Sequence, residues 1–201
     1  PASAGSSYHL AKRSVKGAFH PKMLLQLGKK KGRLIVGSAN LTGAGLYGNL
    51  EILEVLDVGE DDTGAAPLLA AALTYFERHT DPRDKAMKQA VELASRNTDW
   101  LRGVRAQNRV EVQGGFVELV TESVVANISD RVVDAVDGSR VSRFVCAAPF
   151  WDGNLAAVQY LQKRLSPRIT ALVVDPEAQD FDAQQFRALD QVSLHSAGHL
   201  P

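Results

Sequence analysis

The second half of the chain alternates apolar runs of strand length with segments whose apolar residues recur at helical spacing. Four runs are predicted to be strands, at residues 109–119, 140–149, 168–174 and 191–195. Three segments between them are predicted to be helices, at residues 123–136, 154–165 and 181–189. Strands that are joined through helices pair in parallel. This order therefore predicts an α/β protein with a parallel sheet covered by helices.

The first 60 residues contain shorter apolar runs separated by tight turns. Residues 8–27 are predicted to form two strands, and residues 33–36 and 51–58 two more. Gly28 and Gly32 enclose three lysines, a pattern that is typical of a hairpin turn. We therefore expect an antiparallel sheet in this part of the chain.

A helical region is predicted to follow the antiparallel strands. Asp62 or Thr63 can cap a helix that ends at the Asp-Pro pair of residues 81–82, and a second amphipathic helix spans residues 84–96. Trp100 lies in the polar segment after this helix. We expect the indole to anchor that segment by packing.

The composition is that of a folded chain without disulfides. Its 201 residues are 45% hydrophobic and include one cysteine, Cys146, which excludes an internal disulfide and is compatible with a reducing cytosol. The longest apolar run, residues 67–76, has about half the length that a membrane-spanning helix needs. We expect a cytoplasmic protein with no membrane partner. The 23 basic residues balance 23 acidic ones, and this zero net charge by itself counts against a nucleic-acid ligand.

Five polar residues on the predicted antiparallel strands have the chemistry of a phosphate site. His20 and Lys22 are two apart on one strand and share a face, as do Ser38 and Asn40 near the next. The lysine supplies positive charge, the serine and the amide supply donors, and the imidazole can attack phosphorus or carry a proton. Glu51, on the third strand, can hydrogen-bond a histidine and hold its tautomer.

These residues carry a resemblance to a known family. The segments Phe19-His20-Pro21-Lys22, Gly37-Ser38-Ala39-Asn40-Leu41-Thr42 and Asn49-Leu50-Glu51 resemble one half-site of the phospholipase D superfamily. The complete pattern of these three segments is similar to that of the phospholipase D-like nucleases of restriction and phage-defence proteins. The resemblance is close over residues 18–58 and covers the rest of the chain in outline.

The resemblance implies a fold and a division of the chain. We expect a phospholipase D-like α/β fold with a mixed sheet flanked by helices. Residues 1–60 would form the motif-bearing part of a first half, residues 61–108 a helical connector, and residues 109–201 the start of a second half.

The resemblance also implies a mechanism. In the family two half-sites meet, and one histidine attacks the phosphodiester to form a phosphohistidine while the other protonates the leaving oxygen. His20 would be the nucleophile or the acid, and Lys22 and Asn40 would bind the phosphoryl oxygens. Ser38 matches the small polar residue beside them, and Glu51 matches the carboxylate that orients the histidine. This mechanism requires no metal and no cofactor.

The chain departs from the family pattern at two points. The aspartate that the family places five residues after the lysine is Leu27 here, which weakens phospholipid hydrolysis more than nuclease activity. A second His-x-Lys does not occur in the 201 residues. The second half-site then comes from a homodimer partner or lies beyond Pro201. We favour truncation, because residues 143–152 look like the opening of a second half.

The expected function is metal-independent cleavage of DNA, or of RNA as the alternative substrate, in bacterial defence or restriction. Lys29, Lys30 and Lys31, with Arg33, are expected to bind substrate beside the half-site, so that the local charge outweighs the zero total. The alternative function is a catalytically inactive nucleic-acid-binding or scaffold subunit of a defence complex. Other defence-system subunits are compatible as partners with both functions.

Overall fold

The computed structural model describes residues 20–47, 51–61, 63–121, 127–136, 138–148, 150–175, 183–187, 189 and 191–197. The strand predicted at the start of residues 8–27 lies outside these residues, as do Phe19, Asn49 and Leu50 of the family motif. The chain divides into two compact units, Pro1–Leu119 and Val120–Pro201. The sequence predicted boundaries after residues 60 and 108 instead.

The first unit is built on an antiparallel sheet of three strands. The strands are β1 (Met23–Leu27), β2 (Lys31–Gly37) and β3 (Leu53–Gly59), and they pair in that order. In the turn between β1 and β2, the Gly28 amide donates to the Lys31 carbonyl at 2.9 Å. The predicted hairpin and its antiparallel pairing are thus confirmed.

The described part of the first unit contains the helices α1 (Gly43–Tyr47), α2 (Ala66–His79) and α3 (Lys85–Arg96). The Asp84 side chain caps α3 by accepting from the Met87 amide at 2.9 Å, as the sequence predicts. The predicted cap of α2 is wrong. This helix starts after Ala65 without a side-chain cap. Pro67 in its first turn already has the helical φ, and it has no amide N–H that a capping side chain would have to accept from.

The core of the first unit lies between the sheet and α2. Leu34 of β2 pairs with Leu25 and Leu56 of its two neighbours, and these side chains pack with Leu68 and Leu69 of α2. This shared core explains why the helices after residue 60 belong to the first unit rather than to a separate connector.

Trp100 anchors the segment after α3 to the β1–β2 hairpin, which confirms the predicted packing role. The residue lies in a 3-10 turn, Asp99–Leu101, and its indole Nε1 donates to the Gly28 carbonyl at 3.0 Å. A Cβ at Gly32 would lie only 2.8 Å from the indole ring. Glycine at this position therefore lets the ring lie directly against the strand.

The prediction of one strand over residues 109–119 is wrong. The segment forms a hairpin of β4 (Arg109–Val112) and β5 (Gly115–Glu118). Gly114 makes the turn with φ +84°, a conformation that favours glycine. The hairpin adds Val110 and Leu119 to the core of the first unit.

The second unit contains the predicted parallel sheet. Its strands are β6 (Arg143–Ala147), β7 (Ile169–Val174) and β8 (Val192–Ser196), paired in that order. The helices of this unit are α4 (Ile128–Ala135), α5 (Ala156–Leu165) and α6 (Ala183–Arg187). Its buried core consists of Leu155, Val158, Leu172 and Val174, with Cys146 and Trp151 packed against it.

The sheets differ from the expected mixed sheet. In the described part of the chain there are three small sheets, each wholly antiparallel or wholly parallel. The strand predicted at residues 140–149 is shorter than expected and not fully buried, with Val145 60% exposed. Its position at the edge of the sheet leaves it only one strand neighbour. The α/β class itself is confirmed.

Among the residues described, no helix combines the length and the apolar character needed to cross a membrane.

Candidate functional site

The five candidate residues lie at one end of the antiparallel sheet. His20 and Lys22 precede β1, Ser38 and Asn40 follow β2, and Glu51 precedes β3. Antiparallel pairing places the start of β1, the end of β2 and the start of β3 at the same end of the sheet.

Backbone hydrogen bonds between neighbouring strands continue beyond the strand ends at this end of the sheet. The Gly37 amide donates to the Lys22 carbonyl at 3.1 Å, and the Ser38 amide donates to the Ile52 carbonyl at 3.0 Å. The segments that carry the five side chains are therefore held by backbone hydrogen bonds rather than by side-chain contacts alone.

His20 and Lys22 form one close pair at this end of the sheet. The Lys22 Nζ lies 2.7 Å from Nδ1 and 3.0 Å from Nε2 of the exposed His20 ring, and 3.3 Å from the His20 carbonyl oxygen. A neutral imidazole has one acceptor nitrogen, so the tautomer decides which ring nitrogen accepts from the ammonium. The pair places an imidazole and a cation side by side, a combination that suits an anionic phosphodiester.

Ser38 and Glu51 form a second pair. The Ser38 hydroxyl donates to the Glu51 carboxylate and accepts from the Ile52 amide at 3.1 Å. Ser38 thereby joins the end of β2 to the start of β3 through both its backbone and its side chain. This pair gives Glu51 a structural role, whereas its expected role in orienting His20 stays a prediction.

The loop that carries Asn40 is packed too closely for side chains at two glycines. The Asn40 carbonyl accepts from the Thr42 amide at 2.8 Å. A Cβ at Gly45 would lie 2.4 Å from the same carbonyl oxygen, and a Cβ at Gly37 would lie 2.4 Å from the Ile52 carbonyl oxygen. These glycines position the site without touching a ligand. The sequence signal for them was their place on either side of Ser38 and Asn40.

Lys29, Lys30 and Lys31 do not lie beside the other candidates. They occupy the β1–β2 turn and the start of β2, at the far end of the five-residue strand β1. At roughly 3.3 Å per residue, that strand separates the two ends of the sheet by about 17 Å. The expected clustering of these lysines at the half-site is therefore wrong, because a hairpin turn lies opposite to the start of its first strand.

The basic residues of the hairpin also have acidic partners. The Lys30 Nζ lies 3.0 Å from the Glu60 carboxylate, and Arg33 makes a two-pronged contact with Asp57 at 2.6 and 2.8 Å. The hydrogen bond between Arg33 and Asp57 raises the pKa of the arginine and lowers that of the aspartate. This surface is therefore partly neutralised, and its local charge is lower than the sequence predicts.

In the described ranges, no three His, Cys, Asp or Glu side chains lie together in a group that could hold a metal ion. The structure thus offers the site imidazole, ammonium, hydroxyl, amide and carboxylate groups. Comparison of the chain with protein-family models, with curated proteins and with solved structures gives no match in any of the three.

Proposed function

We propose that this chain provides one catalytic half-site of a phosphodiesterase that cleaves nucleic acid, with DNA as the substrate. The observation that carries the proposal is the 2.7 Å contact between the Lys22 ammonium and the exposed His20 ring. A second observation supports the proposal: Ser38, Asn40 and Glu51 lie at the same end of the sheet as His20 and Lys22. A role in defence or restriction rests on the motif resemblance alone.

In the proposed reaction a ring nitrogen of His20 attacks phosphorus and forms a phosphorus–nitrogen bond. The bond from phosphorus to the leaving oxygen breaks, and that oxygen takes a proton from the histidine of a second half-site. Water then cleaves the phosphorus–nitrogen bond and returns the free imidazole. In the transition state the negative charge on the phosphoryl oxygens increases, and Lys22 and Asn40 stabilise it.

The second half-site comes from another copy of the chain or from sequence beyond the 201 residues. Two histidines with opposite roles require one ring to start neutral and the other protonated. The rate of cleavage is therefore expected to show a bell-shaped dependence on pH. A monotonic profile would contradict paired histidines.

A plasmid-cleavage assay in EDTA tests the proposal. We expect cleavage to persist in chelator and to fall by at least about 10³-fold in His20→Ala, since the nucleophile or acid is removed. His195→Ala is the matched control, because His195 is also exposed but lies in the second unit. Loss of cleavage in EDTA, unchanged cleavage in His20→Ala, or an equal loss in His195→Ala would contradict the mechanism.

The alternative function is a half-site that keeps its shape but only binds nucleic acid or serves as a scaffold. The Ser38–Glu51 hydrogen bond favours it, because this bond gives both residues a structural task without turnover. DNA binding without cleavage, together with no phosphohistidine trapped by an alkaline denaturing quench of the parent chain, would support this alternative over catalysis.

A further inference from the structure

A groove lies at the amino ends of the three parallel strands, in the second unit. It is open to solvent and has a volume of about 910 Å³. Ser142 and Arg143 line it where β6 begins, Ser166 and Arg168 where β7 begins, and Gln191 where β8 begins. None of the five half-site residues is among the residues that line it.

Two of the three segments around this groove are basic. Residues 138–143 and 163–169 contain Arg140, Arg143, Lys163, Arg164 and Arg168 and no Asp or Glu, whereas Asp190 precedes Gln191 in the third segment. Arg164 forms an ion pair with Asp130 at 3.7 Å. Arg143 and Arg168 are exposed, and neither forms an ion pair within the described ranges. By contrast, the basic hairpin of the first unit has Lys30 and Arg33 in ion pairs.

The rim of the groove has a defined backbone. The Ile169 amide donates to the Ser142 carbonyl at 3.2 Å, and the Thr170 amide donates to the Gln191 carbonyl at 3.1 Å. Ser166 and Gln191 have φ values of 44° and 49°. For Ser166 this left-handed conformation belongs to the end of α5, where it is the C-cap residue.

Both arginines line the same groove. Arg143 is the first residue of β6, and Arg168 is the residue before β7. Guanidinium groups bind phosphate oxygens through two parallel hydrogen bonds, and serine hydroxyls can donate to the same oxygens. Such contacts recognise phosphate without reading bases.

We propose that this groove binds the phosphodiester backbone of nucleic acid, with Arg143 and Arg168 contacting phosphates and Ser142 donating from the rim. The choice of nucleic acid as the polyanion rests on the proposed function. The groove supplies a surface for substrate that is separate from the half-site, and it explains how a chain of zero net charge holds a polyanion.

The test measures binding of a fluorescent duplex oligonucleotide by anisotropy over a range of salt concentrations, with His20→Ala as the background so that no cleavage occurs. We expect Arg143→Ala/Arg168→Ala to weaken binding and to reduce the slope of log affinity against log salt by about 1.8. This value is about 0.9 for each of the two phosphates that the variant no longer neutralises. Arg143→Lys/Arg168→Lys keeps the charge and should keep most of the slope.

Lys85→Ala/Lys88→Ala is the matched control, since these exposed lysines of α3 carry the same charge in the other unit. The proposal is overturned if the parent chain binds the duplex without salt dependence, if the arginine pair leaves the slope unchanged, or if the lysine pair lowers it equally. Circular dichroism of each variant shows that the fold is intact.

The two proposals fail separately. Unchanged cleavage in His20→Ala, together with a reduced salt slope in Arg143→Ala/Arg168→Ala, would contradict the catalytic mechanism and support binding in the groove. Loss of cleavage in His20→Ala with an unchanged slope in the arginine variant would remove the groove and leave the mechanism.

Discussion

Gly45→Ala is expected to damage the half-site through a single steric contact. The new Cβ would lie 2.4 Å from the carbonyl oxygen of Asn40, whereas ordinary contacts begin near 3.4 Å, so the backbone at Asn40 has to move by about 1 Å. Gly45 lies in α1 and its φ is not positive, so alanine brings no backbone strain of its own.

The displacement predicts two measurable effects. Crowding of a packed site costs about 1–3 kcal/mol of unfolding free energy, which lowers the Tm by about 4 °C for each kcal/mol in a unit of this size. In the proposed mechanism Asn40 binds a phosphoryl oxygen, and a shift of about 1 Å in such a group lowers the rate of catalysis by roughly 10²-fold. Thermal unfolding and plasmid cleavage measure the two effects on the same preparation.

Gly43→Ala is the matched control for this prediction. It lies in the same helix, two residues away, and a Cβ there meets nothing within 4 Å. Alanine at this helical position should leave cleavage unchanged and stabilise the chain by up to about 1 kcal/mol. Equal behaviour of the two variants, or full activity in Gly45→Ala, would refute the steric reasoning.

Three further predictions concern stability. Leu172→Ala, at a fully buried position of β7, should cost about 2–5 kcal/mol in urea unfolding, whereas Leu194→Ala on the neighbouring strand, 43% exposed, should cost much less; equal costs would contradict the assigned core. Trp100→Phe removes the hydrogen bond to the Gly28 carbonyl and also the part of the indole that packs against Gly32, so at least about 1 kcal/mol of unfolding free energy should be lost. A urea titration that gives no difference from the parent would contradict this. Because Arg33 holds the pKa of Asp57 below its ordinary value, the pair stabilises the fold above that ordinary value and stops doing so as the pH falls through the lowered one. The Tm of Asp57→Asn should therefore lie slightly below that of the parent at neutral pH and converge with it in acid, and a difference that persists in acid would show that the ion pair is not its cause.

Several elements of this protein follow from the sequence because short-range interactions determine them. Asp84 caps α3 through an amide three residues away, and the glycines around the lysines of the β1–β2 turn allow its tight hairpin. The strand–helix alternation of the second half requires parallel pairing, and β6, β7 and β8 pair in that way. The five candidate residues also flank the predicted strands, and antiparallel pairing brings those strand ends together, while their joint function stays a prediction.

Other features depend on contacts between residues that are distant in the sequence. Gly114 turns residues 109–119 into a hairpin whose Val110 and Leu119 fill the first core, although the apolar pattern alone fits one longer strand. The charge of Lys30 is balanced by Glu60, which follows two strands later. The ion pair does not follow from local pattern, because it depends on which surfaces the core brings together. The hairpin has a local signal that the apolar pattern hides, since Gly114 and Gly115 separate the two runs.

The sequence by itself determined the α/β class, the pairing directions and the residue types of the half-site. Only the tertiary structure decided that the lysines of the hairpin lie far from that half-site and that Arg143 and Arg168 border one groove. The reason is physical: caps, turns and apolar periodicity act over a few residues, whereas burial of apolar surface acts between any segments that can exclude water together. The charge that matters to a ligand is thus the charge that packing leaves exposed and unpaired.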